Sequence, residues 1–442
     1  MHRLLHRQLA LLPLLAVAFT AQAQDRNALH AEIDRLSDQV APHVLEYRRH
    51  IHEHPELSNR EFETSKYVAE HLRKLGLSVQ TGIAHTGVVA VLKGGLPGPV
   101  IALRADMDAL PVAEEVKLPF ASKVRSTYDG KDVGVMHACG HDAHTSMLLG
   151  VAEVLSQMQP RLAGTVKFIF QPAEEGAPAG EEGGAQLMLK EGAFTTAPVP
   201  EVVFGSHVIA DYDAGTIAWK SGAELASADD VKIVVHGKQA HGATPWQGID
   251  PIVVASQIVM GLQTIASRQM DITKAPVIVT IGKFDGGVRS NIIPDSVTLK
   301  GTLRTLDPAM RRDIAERVRR TAVNIAEASG ATAEVEIGGE TAYPVTVNNP
   351  ALTERILPTL RRVAGEGKVL PTDAKLWAED FSFYAQTVPG YFVFLGSRPP
   401  GEVPELFAPN HSPRFHIDES VLKLGVRTLA NLVVDYPGAS AP

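Results

Sequence analysis

Apolar and polar positions along the chain follow two alternating rhythms. Between residue 30 and about residue 220, short unbroken apolar runs at 88–92, 100–103, 165–170 and 202–204 predict buried strands. Helical periodicity separates them. Phe62, Val68, Leu72 and Leu75 recur at helical spacing, with Ser58 and Glu61 placed as a capping box and Gly76 as the stop. Met147, Val151, Leu155 and Met158 mark one face of a helix over 143–158. Alternation of this kind predicts an α/β unit, a mostly parallel sheet flanked by helices.

The rhythm changes near Ser221. Val231, Ile233 and Val235 alternate as in a half-buried strand, a helix is predicted over 251–266, and strands over 277–281 and 297–303. A helix over 309–328 and a strand over 333–337 complete a β-α-β-β-α-β order, the ferredoxin-like arrangement. From Tyr343 the first rhythm returns, with a helix over 352–363, a strand over 391–395 and a helix over 420–434. The reading is one domain in two parts, 24–220 and 339–442, with a second α+β domain inserted at 221–338.

The first 23 residues read as an export signal. Arg3 and Arg7 precede an uncharged, mostly apolar run from Leu9 to Phe19, and Ala21-Gln22-Ala23 has the small-x-small pattern of a cleavage site. The run is short for a bilayer span, which takes about 20 residues. A signal peptide and a mature protein exported to a periplasm are expected, with no membrane association after cleavage. The whole chain has 442 residues and a formal net charge of -8, so nucleic acid is not the expected partner. A single cysteine, Cys139, excludes an intramolecular disulfide and makes that thiol either core filler or a ligand.

Chemistry-bearing residues gather directly after predicted strands. Asp106 and Asp108 follow 100–103, Glu174 and Glu175 follow 165–170, and His207 follows 202–204. In open α/β sheets ligands collect beyond the carboxyl ends of the strands. Carboxylates and imidazoles converging there repel or stay unpaired unless a cation sits among them. The densest cluster is M-H-A-C-G-H-D-A-H at 136–144, where Gly140 permits a tight turn that lets Cys139 and His141 face one point. Thiolate plus imidazole is a zinc-type donor set. The adjacent pair Glu174-Glu175 can divide duties, one binding metal and the other, in a less polar pocket, taking a proton from water. Glu181 and Glu182 read as a solvated acidic stretch without a role.

These residues stand in a set of ordered motifs: R-R-H-I-H-E-H-P-E-L at 48–57, A-L-R-A-D-M-D-A-L-P at 102–111, M-H-A-C-G-H-D-A-H at 136–144 and F-Q-P-A-E-E-G at 170–176. G-K-Q-A-H-G at 237–242, N-I-I-P-D at 291–295, G-T-L-R-T at 301–305, E-D-F-S at 379–382 and H-S-P-R-F at 411–415 follow. In this series the chain resembles the co-catalytic metallo-amidohydrolases and exopeptidases that include aminoacylases, carboxypeptidase G, hippurate hydrolases and auxin-conjugate hydrolases. It is most similar to the hippurate hydrolase branch. The resemblance implies a zinc-exopeptidase-like catalytic domain with an inserted lid and dimerisation domain, and a homodimer or higher homo-oligomer. It implies two divalent ions per subunit held by Cys139, His141, Glu175, His207 and His411, with Glu174 as general base. His241 on the lid would stabilise the oxyanion, in relatives from the partner subunit, and Asn291 and Arg304 would bind the substrate carboxylate. Asp106 and Asp108 would orient a histidine ring or ligate directly. The thiolate leans toward zinc over manganese, cobalt or nickel. This sequence departs from the family pattern in three places: a longer stretch after Glu175, Trp377-Ala378 where Gly-Ser is usual, and Pro409-Asn410 before His411.

The function so implied is metal-dependent hydrolysis of N-acyl amino acids, hippurate-like amides, to a carboxylic acid and a free amino acid. A dipeptidase or carboxypeptidase of the same fold is the alternative within enzymes. A non-catalytic periplasmic protein binding metal or a small acid is the alternative of another class, against which stands Glu174 beside a ligand glutamate.

Overall fold

The computed structural model describes residues 11–339 and 342–438, with side chains from residue 26 onward apart from 405. The start of the expected export segment, 1–10, lies outside the described residues, as do the side chains of the rest of that segment. No helix among the described residues is long and apolar enough to cross a membrane.

Eight strands form the large sheet, in the order Ser78–Ile83, Gly87–Lys93, Ala163–Gln171, Leu96–Asp106, Val202–Asp213, Gly390–Arg398, Ile217–Trp219 and Val369–Pro371. Its four central strands run parallel. The strands Ser78–Ile83 and Gly87–Lys93 extend one side antiparallel. Successive residues point to opposite faces: Leu103, Phe168 and Phe204 enter one core, Ala102, Ile169 and Val203 the other. The first face is covered by the helices Leu11–Glu53, His141–Gln157, Pro350–Ala364 and Ser420–Asp435. The second carries the short helices Gly184–Lys190 and Phe381–Thr387.

The chain leaves Leu96–Asp106, pairs Ala163–Gln171 on one side of it, then crosses to pair Val202–Asp213 on the other. This reversal is a topological switch point, and it opens a crevice beyond the carboxyl ends of these strands.

Residues 229–338 build a second core around Val231, Ile233, Leu299 and Ile258. Its sheet runs Val277–Gly286, Ser296–Thr305, Asp229–His236, Thr332–Gly338, antiparallel throughout. This is the ferredoxin-like order. Both of its long helices, Pro251–Thr264 and Pro308–Ala328, start with proline behind an aspartate cap: Asp250 accepts from Ile252 N and Val253 N, Asp307 from Ala309 N and Met310 N. The expected continuation of the first to 266 is instead a wider π turn at Ile265–Gln269. The two chain crossings between the domains pair with each other, Gly222–Leu225 antiparallel to Thr346–Asn348.

The capping box is a correction. Helix Phe62–Lys74 begins without a side-chain cap. Ser58 Oγ donates to Asp108 Oδ2 at 2.8 Å. Glu61 is buried, accepting from Asn59 N at 3.0 Å and Thr86 Oγ1 at 2.6 Å. Tertiary partners took both residues of the local pattern. Phe62, expected on the buried face, is 58% exposed.

Candidate metal centre and active site

Gly140 has φ +98°, and a Cβ there would sit 2.3 Å from Val208 Cγ2, so only glycine makes this turn. The turn hands the chain from Cys139 into helix His141–Gln157, with both side chains buried. His141 Nδ1 donates to the Asp108 carbonyl at 2.8 Å and faces Asp108 Oδ1 at 3.2 Å. A proton is thereby fixed on Nδ1, and Nε2 is the atom turned to the crevice. That Nε2 is buried and has no hydrogen-bond partner. Three carboxylate oxygens stand around it: Glu174 Oε2 at 3.8 Å, Asp106 Oδ2 at 3.9 Å and Glu175 Oε1 at 3.9 Å.

His207, on strand Val202–Asp213, is oriented the same way. Its Nδ1 donates to Val208 O at 2.7 Å and its Nε2 lies 3.3 Å from Cys139 Sγ. His411 reaches the site from a loop and holds φ +69°, a strained conformation for a non-glycine residue. Its Nε2 lies 3.2 Å from Cys139 Sγ and 3.0 Å from Glu175 Oε1. Asn410 secures that loop, donating to Cys139 O at 3.0 Å and Val208 O at 3.2 Å and accepting from Ala210 N. The donors fall into sets whose ligand atoms lie within 4.8 Å of one another, and two sets, Cys139 with His141 and His207 and Cys139 with Glu175 and His411, share the thiol. Donors bound to one zinc at about 2.0–2.3 Å stand about 3.3–3.8 Å apart, close to these separations. The orphaned His141 Nε2 and the mix of thiol, imidazole and carboxylate fit a divalent cation.

The electrostatics agree. Burial opposes charge on His141, yet Asp106, Asp108 and Glu175 raise its pKa to about 10. Burial, Glu175, Glu174 and Asp106 push the Cys139 thiol well above its ordinary value. Burial, Glu379, Glu175 and Asp380 do the same to Glu174. Without a cation this is a frustrated cluster, with excess acid and imidazole protons in one dry crevice.

Asp106 and Asp108 both hold histidine rings. Asp108 steadies His141 and accepts from Glu175 N at 3.0 Å. Asp106 Oδ1 accepts from His144 Nδ1 at 2.6 Å, and His144 Nε2 accepts from Val208 N at 2.8 Å. His144 thus bridges two site strands. His137 sits beside His52, ring centroids 6.4 Å apart, and burial lowers its pKa to about 3, keeping it neutral. Glu181, given no role from sequence, clamps the loop after Glu175 by pairing with Arg60 at 2.5 Å and accepting from Asn59 Nδ2.

A buried network behind Glu174 was not anticipated. Arg104 donates to Asp106 Oδ2 at 2.6 Å and Asp380 Oδ1 at 2.7 Å and lies 2.8 Å from Glu379 Oε1. The available signal was an arginine inside the apolar strand 100–103 extends into, since a buried cation needs carboxylates. Tyr343, on the chain returning from the second domain, donates to Glu174 O at 2.7 Å. Beyond the donors an open cleft of about 330 Å³ is walled by Ile209, Trp377 and Pro409.

His241 and Asn291 come together on the inserted domain, where Gly242 N donates to Asn291 O at 2.8 Å, and both are exposed. Arg304 lies on the four-stranded sheet opposite Ile278. Among the described residues no hydrogen bond or ion pair joins these three to the Cys139 cluster.

The model of peptidase family M20/M25/M40 matches residues 102–435. The chain belongs to this family. Thermostable carboxypeptidase 1 of Saccharolobus solfataricus is 43% identical over 394 residues, covering 89% of this chain and 95% of the relative. IAA-amino acid hydrolase ILR1-like 2 of Arabidopsis thaliana is 38% identical over 402 residues, covering 90% and 86%. A crystal structure of Bacillus subtilis YXEP, described as a dinuclear metal-binding peptidase of the M20 family, superposes with a TM-score of 0.73 at 35% identity, covering 90% of this chain and 98% of that one. As an M20 protein, the chain is a metal-dependent hydrolase of amide or peptide bonds, with a catalytic domain and a lid.

Proposed function

We propose that this M20 hydrolase cleaves N-acyl amino acids of the hippurate type, releasing a carboxylic acid and a free amino acid. The observation that carries the reading is Glu174, buried at the crevice with Oε2 3.8 Å from the orphaned His141 Nε2 and with a raised pKa. A carboxyl group so placed matches the demand on a general base. Cys139, His141, Glu175, His207 and His411 would hold two divalent ions, zinc by the thiolate's preference. Such ions polarise an amide carbonyl and acidify water. Glu174 takes the proton of the attacking water and delivers it to the leaving amine. Behind it Arg104 pairs with Glu379 and Asp380, although burial still raises the pKa of both carboxyls, that of Asp380 to about 8. Asp108 holds the His141 ring so that Nε2 faces the centre, while Asp106 holds His144, whose Nε2 accepts from Val208 N and so braces the strand that carries His207.

His241, Asn291 and Arg304 would meet the substrate from the lid, Arg304 by a two-bonded grip on its carboxylate. A homodimer in which His241 serves the partner's crevice is part of the proposal. The exposed Met260, Phe284 and Val288 on the same domain support it. Export to a periplasm is proposed on the leader-like residues 1–23.

A peptidase reading is favoured by the relative named carboxypeptidase. We keep the acyl substrate as the first choice over a dipeptide because the cleft's one carboxylate beyond the metal-type donors and Glu379, Asp211, is paired with Lys375 Nζ at 2.7 Å, which leaves a dipeptide's ammonium less to meet there than an uncharged acyl group. The test is a panel of N-acylglycines and glycine-containing dipeptides with zinc-loaded protein. Faster turnover of the acyl compounds is expected. Turnover confined to dipeptides selects the peptidase, and turnover of neither revives a binding role.

A further inference from the structure

Trp377 stands partly exposed, 38%, in the wall of the open cleft beyond the donors. Its indole lies 5.4 Å from the Phe394 ring and 5.8 Å from the His207 ring, centroid to centroid. Its carbonyl accepts from Ala226 N at 3.1 Å, which pins the residue between the catalytic sheet and the linker to the lid. The indole is thus fixed at its base and leaves one face toward the cleft, with Ile209 and Pro409 as apolar neighbours. A pocket of about 330 Å³ with this lining accepts an apolar group of small-molecule size.

The two arms of an N-acyl amino acid differ in charge, and the cleft discriminates between them. Among the described residues no lysine or arginine lines it, and its carboxylate Asp211 is bound to Lys375. The carboxylate-bearing arm finds no partner here. The acyl arm, uncharged, does.

We propose that Trp377 is the specificity-determining wall of the acyl subsite and selects aromatic acyl groups over short aliphatic ones. The proposal rests on the amidohydrolase reading above. An aroyl ring entering beside His207 meets the indole at the tilted or edge-on geometry aromatic pairs prefer, with centroids about 4.5–7 Å apart. An acetyl group leaves the indole face wet and gains nothing from it.

The experiment compares kcat/KM for N-benzoylglycine and N-acetylglycine in zinc-loaded wild type, Trp377→Phe and Trp377→Gly, with zinc content measured in each. The benzoyl-to-acetyl ratio is expected to fall about tenfold or more in Trp377→Gly, chiefly through KM for the benzoyl substrate, and to stay within about threefold in Trp377→Phe. Trp377→Leu replaces the glycine variant if that one does not fold. A ratio unchanged in the non-aromatic variant overturns the proposal. So does zinc loss with equal decline on both substrates, which makes Trp377 a support for His207. If wild type cleaves neither compound, the amidohydrolase reading itself fails, an outcome visible before any variant is compared.

Discussion

Cys139 Sγ and His411 Nε2 lie 3.2 Å apart although 272 positions separate them in the chain. The thiol is buried, and burial with Glu175 and Glu174 beside it keeps it protonated at neutral pH. A protonated thiol is a poor partner for two imidazoles. A cation resolves the conflict by replacing the proton. Cys139→Ala is therefore expected to bring zinc content below half of wild type by elemental analysis, with unchanged circular dichroism. Full zinc stoichiometry in that variant removes Cys139 from the donor set.

Cation binding should also release protons. Cys139 lies above its ordinary value and His141 titrates near 10 in the cation-free cluster, so both carry protons near neutrality. Ligation requires the thiolate and the unprotonated Nε2. Affinity must then rise with pH, by up to about tenfold per unit for each proton released. Chelator-competition titrations at pH 6, 7 and 8 read this directly. A flat profile contradicts the assigned ligands.

Glu174→Gln keeps the shape of the side chain and removes its basicity. Turnover is expected to fall by about 10²–10⁴, the usual contribution of a positioned acid–base group. Zinc content should be retained, because Glu175 and the imidazoles remain. Near-normal turnover would end the assignment of Glu174 as base.

The parallel centre of the sheet was readable because its strands are buried on both faces and their apolar runs carry no competing period. The site was readable for a related reason: polar residues immediately after such runs, Asp106 and Glu174, lie at or just past the strand ends, whereas His207, expected there too, sits within a strand that continues to Asp213. What escaped were residues whose partners are remote. Arg104 has its acids at Glu379 and Asp380, more than 270 positions away. Ser58 and Glu61 fit a local cap, but the buried side chains of Asp108 and Thr86 competed for them and won. The helix Leu11–Glu53 was missed because its buried stripe, Ile33, Leu36, Val40 and Val44, is thin amid charged residues, and because an exposed Pro42 interrupts the helical pattern.

Asp435 ties the last helix to two others, and its stabilising effect has a defined pH window. Its Oδ1 lies 2.6 Å from His30 Nε2, and its Oδ2 accepts from Thr359 Oγ1 at 2.7 Å and Arg362 Nη2 at 2.6 Å. Burial works against ionisation, but His30, Thr359 and Arg362 outweigh it and bring the pKa from 3.8 down to about 2. A carboxylate depressed on folding contributes stability that is fully present above the unfolded value and is lost as pH falls through the folded one. After allowance for solvent at the partly exposed site, the contribution is about 1–2 kcal/mol. Asp435→Asn is thus expected to unfold at a lower temperature than wild type at pH 7, and the gap should close as pH falls from 4 toward 2. Thermal midpoints of both proteins across that range test it, and a gap that persists undiminished at pH 2 would show that the charge of Asp435 is not what holds these helices.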